Sequence, residues 1–367
     1  MIDRGSKVFE LLRGAGLAGA APAAVAEWGR AGENITREIL GASTLVPERV
    51  EAAADTWFDL ASLTKPLVTT TLTLIALRGG NINPSTRAGE VLDELRGTDV
   101  GNLEVDALLT HTSGLPAWLP LYCLAEGRPE LLPSRLAQVS LEARSGERVV
   151  YSCVGFVILG LMLARVAGET LDSLFRREVL AVLGLEGQLG FKPELDTQSL
   201  VGGAGTPVVE NRLVSKLGLD RCWIPPSGKG LPDDGNARFL DGVAGNAGLF
   251  GTAGGVLALT SEYLPGGGFL LTAEEAERST SIRTAGLEQG RGWGWQLASS
   301  PGCSAGPALS ATSFGHTGFT GATVWCDPAT RGVFVLLTNR NHPVQRENDL
   351  HPLRRRFHAL AAKTLEE

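Results

Sequence analysis

Lysine is scarce in this chain: of 33 basic residues among 367, only six are lysine. Tyrosine is scarcer, at three residues, and aromatics together make up 6%. The formal net charge is −7, with acids and bases interspersed, so the basic footprint of a nucleic-acid binder is missing. The five cysteines, Cys123, Cys153, Cys222, Cys303 and Cys326, are odd in number and form no CxxC pair. That spacing suggests neither a zinc knuckle nor a disulfide framework, and all five read as free thiols packed as small hydrophobes. Long apolar runs are also absent. The longest, residues 153–164, is about 12 residues, against the roughly 20 that span a bilayer.

A secretory leader is imitated but not convincing. Arg4, Lys7 and Arg13 precede a Gly/Ala stretch ending in Ala24-Val25-Ala26, yet Asp3 and Glu10 interrupt the basic region and Pro22 the apolar one. Val8, Leu11 and Leu12 fall at helical spacing, so the first 15 residues read as an amphipathic helix. That reading favours a cytoplasmic protein. Glycine is in excess, at 47 residues against a usual share of roughly 7%. Gly242, Gly245, Gly248, Gly251 and Gly254 recur every third residue without collagen's proline or a phosphate loop's lysine. Close backbone packing and turns at positive φ are expected there.

Strand patterns sit at both ends of the chain. Extended stretches are expected near Ala23–Trp28 and Glu38–Ser43, then at Trp293–Ala298, Ala322–Cys326 and Gly332–Thr338, with a hairpin turn over 327–332. Helices are expected over Thr64–Leu77, Glu104–Thr110, Val154–Ala167, Thr170–Val182 and Asn348–Leu365. Residues 187–235 carry little periodicity and read as an irregular excursion. Helices in the middle and strands at the ends predict an α+β fold, not a βαβ series. Length alone suggests about two domains in series.

Three short motifs carry chemistry. Ser62-Leu63-Thr64-Lys65 is followed by Pro66, which is tolerated in a first helical turn. Ser62 and Lys65 would share one face of that turn, and no other lysine has a serine three residues before it. A serine nucleophile needs such an adjacent base; an N-cap serine beside a solvated lysine is the plainer alternative. Tyr151-Ser152-Cys153 ends a loop before an apolar helix, where a phenol could shuttle a proton or simply pack. His316-Thr317-Gly318-Phe319 places a hydrogen-bonding side chain and a glycine beside a strand edge. His111, in Leu108-Leu109-Thr110-His111-Thr112-Ser113-Gly114, lacks further metal ligands at suitable spacing and reads as structural. Asp233-Asp234-Gly235-Asn236 reads as a turn, with Asn236 or Asn246 free to line a pocket.

Taken together, Ser62-x-x-Lys65, Tyr151-x-Cys153 and His316-Thr317-Gly318, in that order and over residues 58 to 340, resemble the serine β-lactamase and penicillin-binding superfamily. The likeness is to class C β-lactamases, D-Ala-D-Ala carboxypeptidases and related esterases. It implies an antiparallel sheet flanked by helices with an inserted, mainly helical lobe. The whole chain would be one catalytic unit: a sheet lobe of about 1–75 plus 240–367, and a helical lobe of about 76–239. It implies Ser62 as the acylated nucleophile, with Lys65 and Tyr151 sharing the acid–base work. The backbone N–H groups of Ser62 and Phe319 would form the oxyanion hole, and Cys153, His316, Thr317 and Gly318 would contact substrate. No metal or cofactor is implied, and the partner is a small molecule or short peptide.

One position departs from the family. Cys153 stands where the Tyr-x-Asn element carries an amide, and a thiol is a weak hydrogen-bonding group. That counts against efficient β-lactam or peptide hydrolysis and leaves the nucleophile and base in place. His316 stands where lysine is frequent, and neutral imidazole grips a carboxylate less strongly than ammonium. The expected function is hydrolysis of an amide or ester through an acyl-serine. A non-catalytic ligand-binding protein on the same scaffold is the alternative.

Overall fold

The computed structural model describes every residue except 1–3, 17–18, 194–198, 204–206, 220–221, 223, 267, 347 and 367. Its strands are β1 (Ala23–Arg30), β2 (Ile35–Thr44), β3 (Val50–Glu51), β4 (Phe58–Asp59), β5 (Leu189–Phe191), β6 (Leu249–Gly251), β7 (Gln296–Leu297), β8 (Phe314–Thr317), β9 (Thr323–Asp327) and β10 (Gly332–Thr338). A seven-stranded sheet runs β3-β2-β1-β10-β9-β8-β7, and a three-stranded one runs β4-β6-β5. Every pairing within them is antiparallel. The α+β expectation holds, with the large sheet drawn from the two ends of the chain and helices packed against it.

Period-two side-chain alternation builds the two cores. Val25 of β1, Val324 and Cys326 of β9, and Val333, Val335 and Leu337 of β10 enter one cluster. Ala24, Ala26, Trp28, Trp325, Phe334 and Leu336, from the same strands, enter the other. A strand buried on both faces reads as a continuous apolar run, which is why β9 and β10 are legible in sequence. Six helices frame the sheet and the cavity beside it: α1 (Arg4–Leu11), α2 (Thr71–Arg78), α3 (Cys153–Ala167), α4 (Val208–Lys216), α5 (Ala253–Ser261) and α6 (His351–Lys363). α5 packs on β1, β9 and β10, while α1 and α6 pack together on the second cluster.

α3 is held at both ends. Ser152 Oγ accepts from the Gly155 N–H at the N-cap, and Gly168 closes the helix at φ +69°. Midway, α3 meets the 244–248 segment backbone to backbone: a Cβ on Gly245 would lie 2.1 Å from the Phe156 carbonyl oxygen. Two of the five regularly spaced glycines, Gly242 and Gly248, take positive φ, and Gly245 supplies the close approach expected of that run.

Three expectations need correction. Trp293–Ala298 is a strand only at Gln296–Leu297, because Trp293 and Trp295 are core residues on a turn through Gly294 at φ +72°. The stretch over 187–235 holds β5 and α4 where no regular element was expected, although its parts at 194–198, 204–206, 220–221 and 223 lie outside the described residues. The cysteines are not all free: Cys123 and Cys222 form a disulfide with Cα atoms 5.4 Å apart. The two lie 99 positions apart in sequence, so their spacing carried no signal and only the fold brings them together. Cys153, Cys303 and Cys326 are free, as expected. Among the described residues no single helix is long and apolar enough to cross a membrane.

Candidate active site

The turn carrying Ser62 is built around a buried carboxylate. Asp59, at the end of β4, accepts from the Ala61 N–H at 2.8 Å with Oδ1 and from the Asp233 N–H at 2.7 Å with Oδ2. Ala61 is thereby held at φ +46°, in the left-handed region that an L-residue seldom adopts. Ser62 follows on a tight 3₁₀ turn, and a continuous helical run over 65–78 begins at Lys65 with Pro66 in its first turn. Burial and the neighbouring Asp233 charge push the Asp59 carboxyl up to about 7, while its two backbone donors oppose the rise.

Lys65 is fully buried, and its Nζ donates at 3.0 Å to Ser62 Oγ, at 3.0 Å to the Asn246 carbonyl and at 3.5 Å to Cys153 Sγ. The Tyr151 ring centroid lies 5.0 Å from the same nitrogen. Burial pulls Lys65 down, but the facing Cys153 and Tyr151 in their ionised forms pull harder, and the net direction is upward. Burial raises Tyr151 and Cys153 as well, against the opposing pull of Lys65. The 244–249 segment is tied to this helix by Thr69 Oγ1 donating to the Gly245 carbonyl at 2.6 Å and by the Leu249 N–H donating to Thr64 Oγ1 at 3.1 Å.

Two histidines flank Tyr151 in opposite tautomers. His111, with ring centroids 4.6 Å apart, accepts from the Ser152 N–H at Nδ1, so its proton sits on Nε2. His316, 5.7 Å away, has Nδ1 at 2.9 Å from the Thr317 carbonyl, which can only accept, so its proton sits on Nδ1. Burial, reinforced by Lys65 and Arg291, drives both pKa values well below the usual imidazole range. His316 is therefore a neutral group. Gly318 is pressed against the Ser62 turn, since a Cβ there would lie 2.7 Å from the Leu60 carbonyl oxygen. Thr320 Oγ1 adds a 2.7 Å bond to the Asp59 carbonyl.

Ser62, Tyr151, Cys153, His316, Thr317, Gly318 and Phe319 all line one cavity of about 510 Å³, with Lys65 directly behind Ser62. The residues singled out in sequence thus converge on a single place. Others there were missed. Arg291 lines the cavity with its guanidinium 5.5 Å from the Tyr151 ring, and it donates to Gln289 Oε1 at 3.0 Å. Arg354 lines it too, bonded to the carbonyls of Gly318 and Ala322. Burial lowers each to about 10, and among the described residues neither has a carboxylate within ion-pair distance. Glu210, Asp233 and Asp234 form an acidic wall opposite, with Glu210 paired to Arg238 at 2.9 Å. No motif marks the arginines or Glu210; Asp233-Asp234 reads in sequence as a turn, whereas Asp234 caps the helix Gly235–Phe239 and both acids line the cavity. Asn236 is structural, accepting from the Leu121 N–H, and His342 accepts from the Leu45 N–H away from the site. Among the described residues no three His, Cys, Asp or Glu side chains could hold a metal ion.

Residues 18–359 match the family model described as Beta-lactamase. A protein of Escherichia coli strain K12 named "Putative D-alanyl-D-alanine carboxypeptidase" is 26% identical over 328 residues, covering 82% of this chain and 73% of its own. Among solved structures, a class C β-lactamase superposes with a TM-score of 0.75 at 18% identity, covering 99% of this chain and 97% of the other. The hydrolase EstCE1, described as having promiscuous acyltransferase activity, superposes at 0.74 with 21% identity over 97% and 99% of the two chains.

Proposed function

The chain belongs to the β-lactamase family, and from that premise we propose that it is a serine hydrolase working through an acyl-Ser62 intermediate. The observation that carries this reading is the 3.0 Å bond between a fully buried lysine nitrogen and a cavity-lining serine hydroxyl. Ser62 Oγ attacks the substrate carbonyl, and its proton passes to the Lys65–Tyr151 pair in the form that has lost one proton. The N–H groups of Ser62 and Phe319 take the developing oxyanion. Tyr151 then protonates the leaving group, and water releases the acyl group. Because both members of the pair are pushed upward, the competent form grows as pH rises above neutral.

The substrate is a β-lactam, a D-alanyl peptide or a small ester, and the arginines favour one that carries a carboxylate. Neutral His316 cannot supply the charge, whereas Arg291 and Arg354 are cations with no carboxylate within ion-pair distance among the described residues. A buried, uncompensated cation is costly, and a substrate carboxylate would relieve it. The test is Ser62→Ala against a chromogenic β-lactam, a D-alanyl peptide and a nitrophenyl ester, with fluorophosphonate labelling mapped by mass. Turnover and label should vanish while the fold, read by circular dichroism, is kept. Unchanged ester hydrolysis by that variant overturns the reading.

A further inference from the structure

Cys153 moves no proton and forms no bond in the acyl transfer proposed for Ser62, yet it touches Lys65 and its surroundings are built for more than a thiol. It is the first residue of α3 and lines the cavity partly exposed. Its sulfur lies 3.5 Å from the Lys65 nitrogen. Asn246 is 1% exposed, and its amide sits close enough to favour negative charge on that sulfur. Even so, neither Oδ1 nor Nδ2 of Asn246 meets a hydrogen-bond partner among the described residues. A buried amide group left unsatisfied costs roughly 1–3 kcal/mol, and a thiol is too weak a donor and acceptor to relieve it. An oxygen atom on Sγ would. It would accept from Asn246 Nδ2 and from Lys65 Nζ at once.

We propose that Cys153 is an oxidation site, converted by a hydroperoxide to a sulfenic acid that disables Lys65. The thiolate form, which burial disfavours and Lys65 favours, attacks the terminal peroxide oxygen: the S–O bond forms as the O–O bond breaks, and the proton given up by sulfur ends on the alcohol or water. Cys153–SH and ROOH become Cys153–SOH and ROH; sulfur gives up two electrons and the peroxide takes them. The new oxygen, placed against Nζ, fixes Lys65 as an ammonium donor, so it can no longer take the Ser62 proton. The other free thiols are poor competitors. Cys326 is buried in the sheet core and Cys303 is 7% exposed with its thiol donating to the Ala298 carbonyl. Only the loss of function rests on the hydrolase reading; the oxidation does not.

The full chain is treated with excess hydrogen peroxide and read by intact mass, dimedone trapping and peptide mapping. A gain of one oxygen, about 16 Da, is expected on Cys153 and not on Cys303 or Cys326. Fluorophosphonate labelling of Ser62 should fall at least about tenfold and recover with arsenite, which reduces sulfenic acids and spares disulfides. Cys153→Ala should remove the mass gain and, whatever its untreated level of labelling, any further loss of labelling with peroxide. Asn246→Ala keeps the thiol and should lower the yield of dimedone adduct. Oxidation elsewhere first, an unmodified Cys153, or an oxidised Cys153 with undiminished labelling overturns the proposal. If untreated protein takes no label, the hydrolase reading fails, and the mass result alone decides the oxidation site.

Discussion

The two sides of the cavity are held in place by different means. The floor, with Ser62, Lys65, Tyr151, Cys153 and Asn246, is fixed by short hydrogen bonds and by backbone pressed on backbone at Gly245 and Gly318. The far wall, from α4 and residues 233–235, is fixed by the buried Glu210–Arg238 pair and, just beyond α4, by the Cys123–Cys222 bridge. Cations dominate near the floor, with Lys65 and Arg291, and acids line the wall, with Glu210, Asp233 and Asp234. Chemistry and recognition are thus separable. The floor can be disabled without moving the wall, and the wall can be loosened without touching the nucleophile.

The sharpest break is at the floor. Lys65→Met keeps the bulk of the side chain and removes the base, so turnover should fall about 10³-fold, in the middle of the usual range for a positioned general base. A loss below tenfold in steady-state kinetics would mean that Tyr151 acts without it. Asp59→Asn tests the support beneath the floor. The folded carboxyl titrates at about 7 against a usual 3.8, so between those values the unfolded chain ionises while the folded one resists. Stability therefore falls as pH rises from about 4 to 7, by on the order of 4 kcal/mol at most. The variant should flatten that slope in urea melts, leaving the same-signed contribution of Asp233. A slope unchanged from the parent would refute the assignment.

Cys222→Ser loosens the wall. Opening a loop of 99 residues should lower stability by roughly 2–4 kcal/mol in denaturant, with KM affected and Ser62 labelling kept within about twofold. A large drop in labelling would erase the distinction between floor and wall. Arg291→Gln has the smallest expected effect, about tenfold in kcat/KM for carboxylate-bearing substrates and little for neutral esters. Equal losses for both would assign Arg291 to Tyr151 instead, through the ring contact at 5.5 Å.

The floor was legible in the sequence because its chemistry is local or motif-bound. Ser62 and Lys65 are one helical turn apart, and Tyr151 and His316 sit within short patterns whose joint order resembles a family. Strands β9 and β10 were legible because burial on both faces leaves an apolar run. The wall was not. Glu210 lies on a nine-residue helix in a stretch with little periodicity, and its meaning comes from Arg238, 28 residues away. Arg291 and Arg354 matter because no carboxylate among the described residues comes within ion-pair distance of them, although Asp349 acts on Arg354 from farther off. Trp293 and Trp295 alternate as a strand would and both enter the core, yet Gly294 at φ +72° turns the chain between them and no strand forms there.

The Cys123–Cys222 bond also makes part of the polypeptide a closed covalent circuit. Tyr151, Cys153 and Glu210 ride within that circuit, while Ser62, Lys65 and His316 lie on the tails that leave it. A single proteolytic cut between the two cysteines yields two fragments that still migrate as one molecule until a reductant is added. A cut outside the circuit yields pieces joined by packing alone.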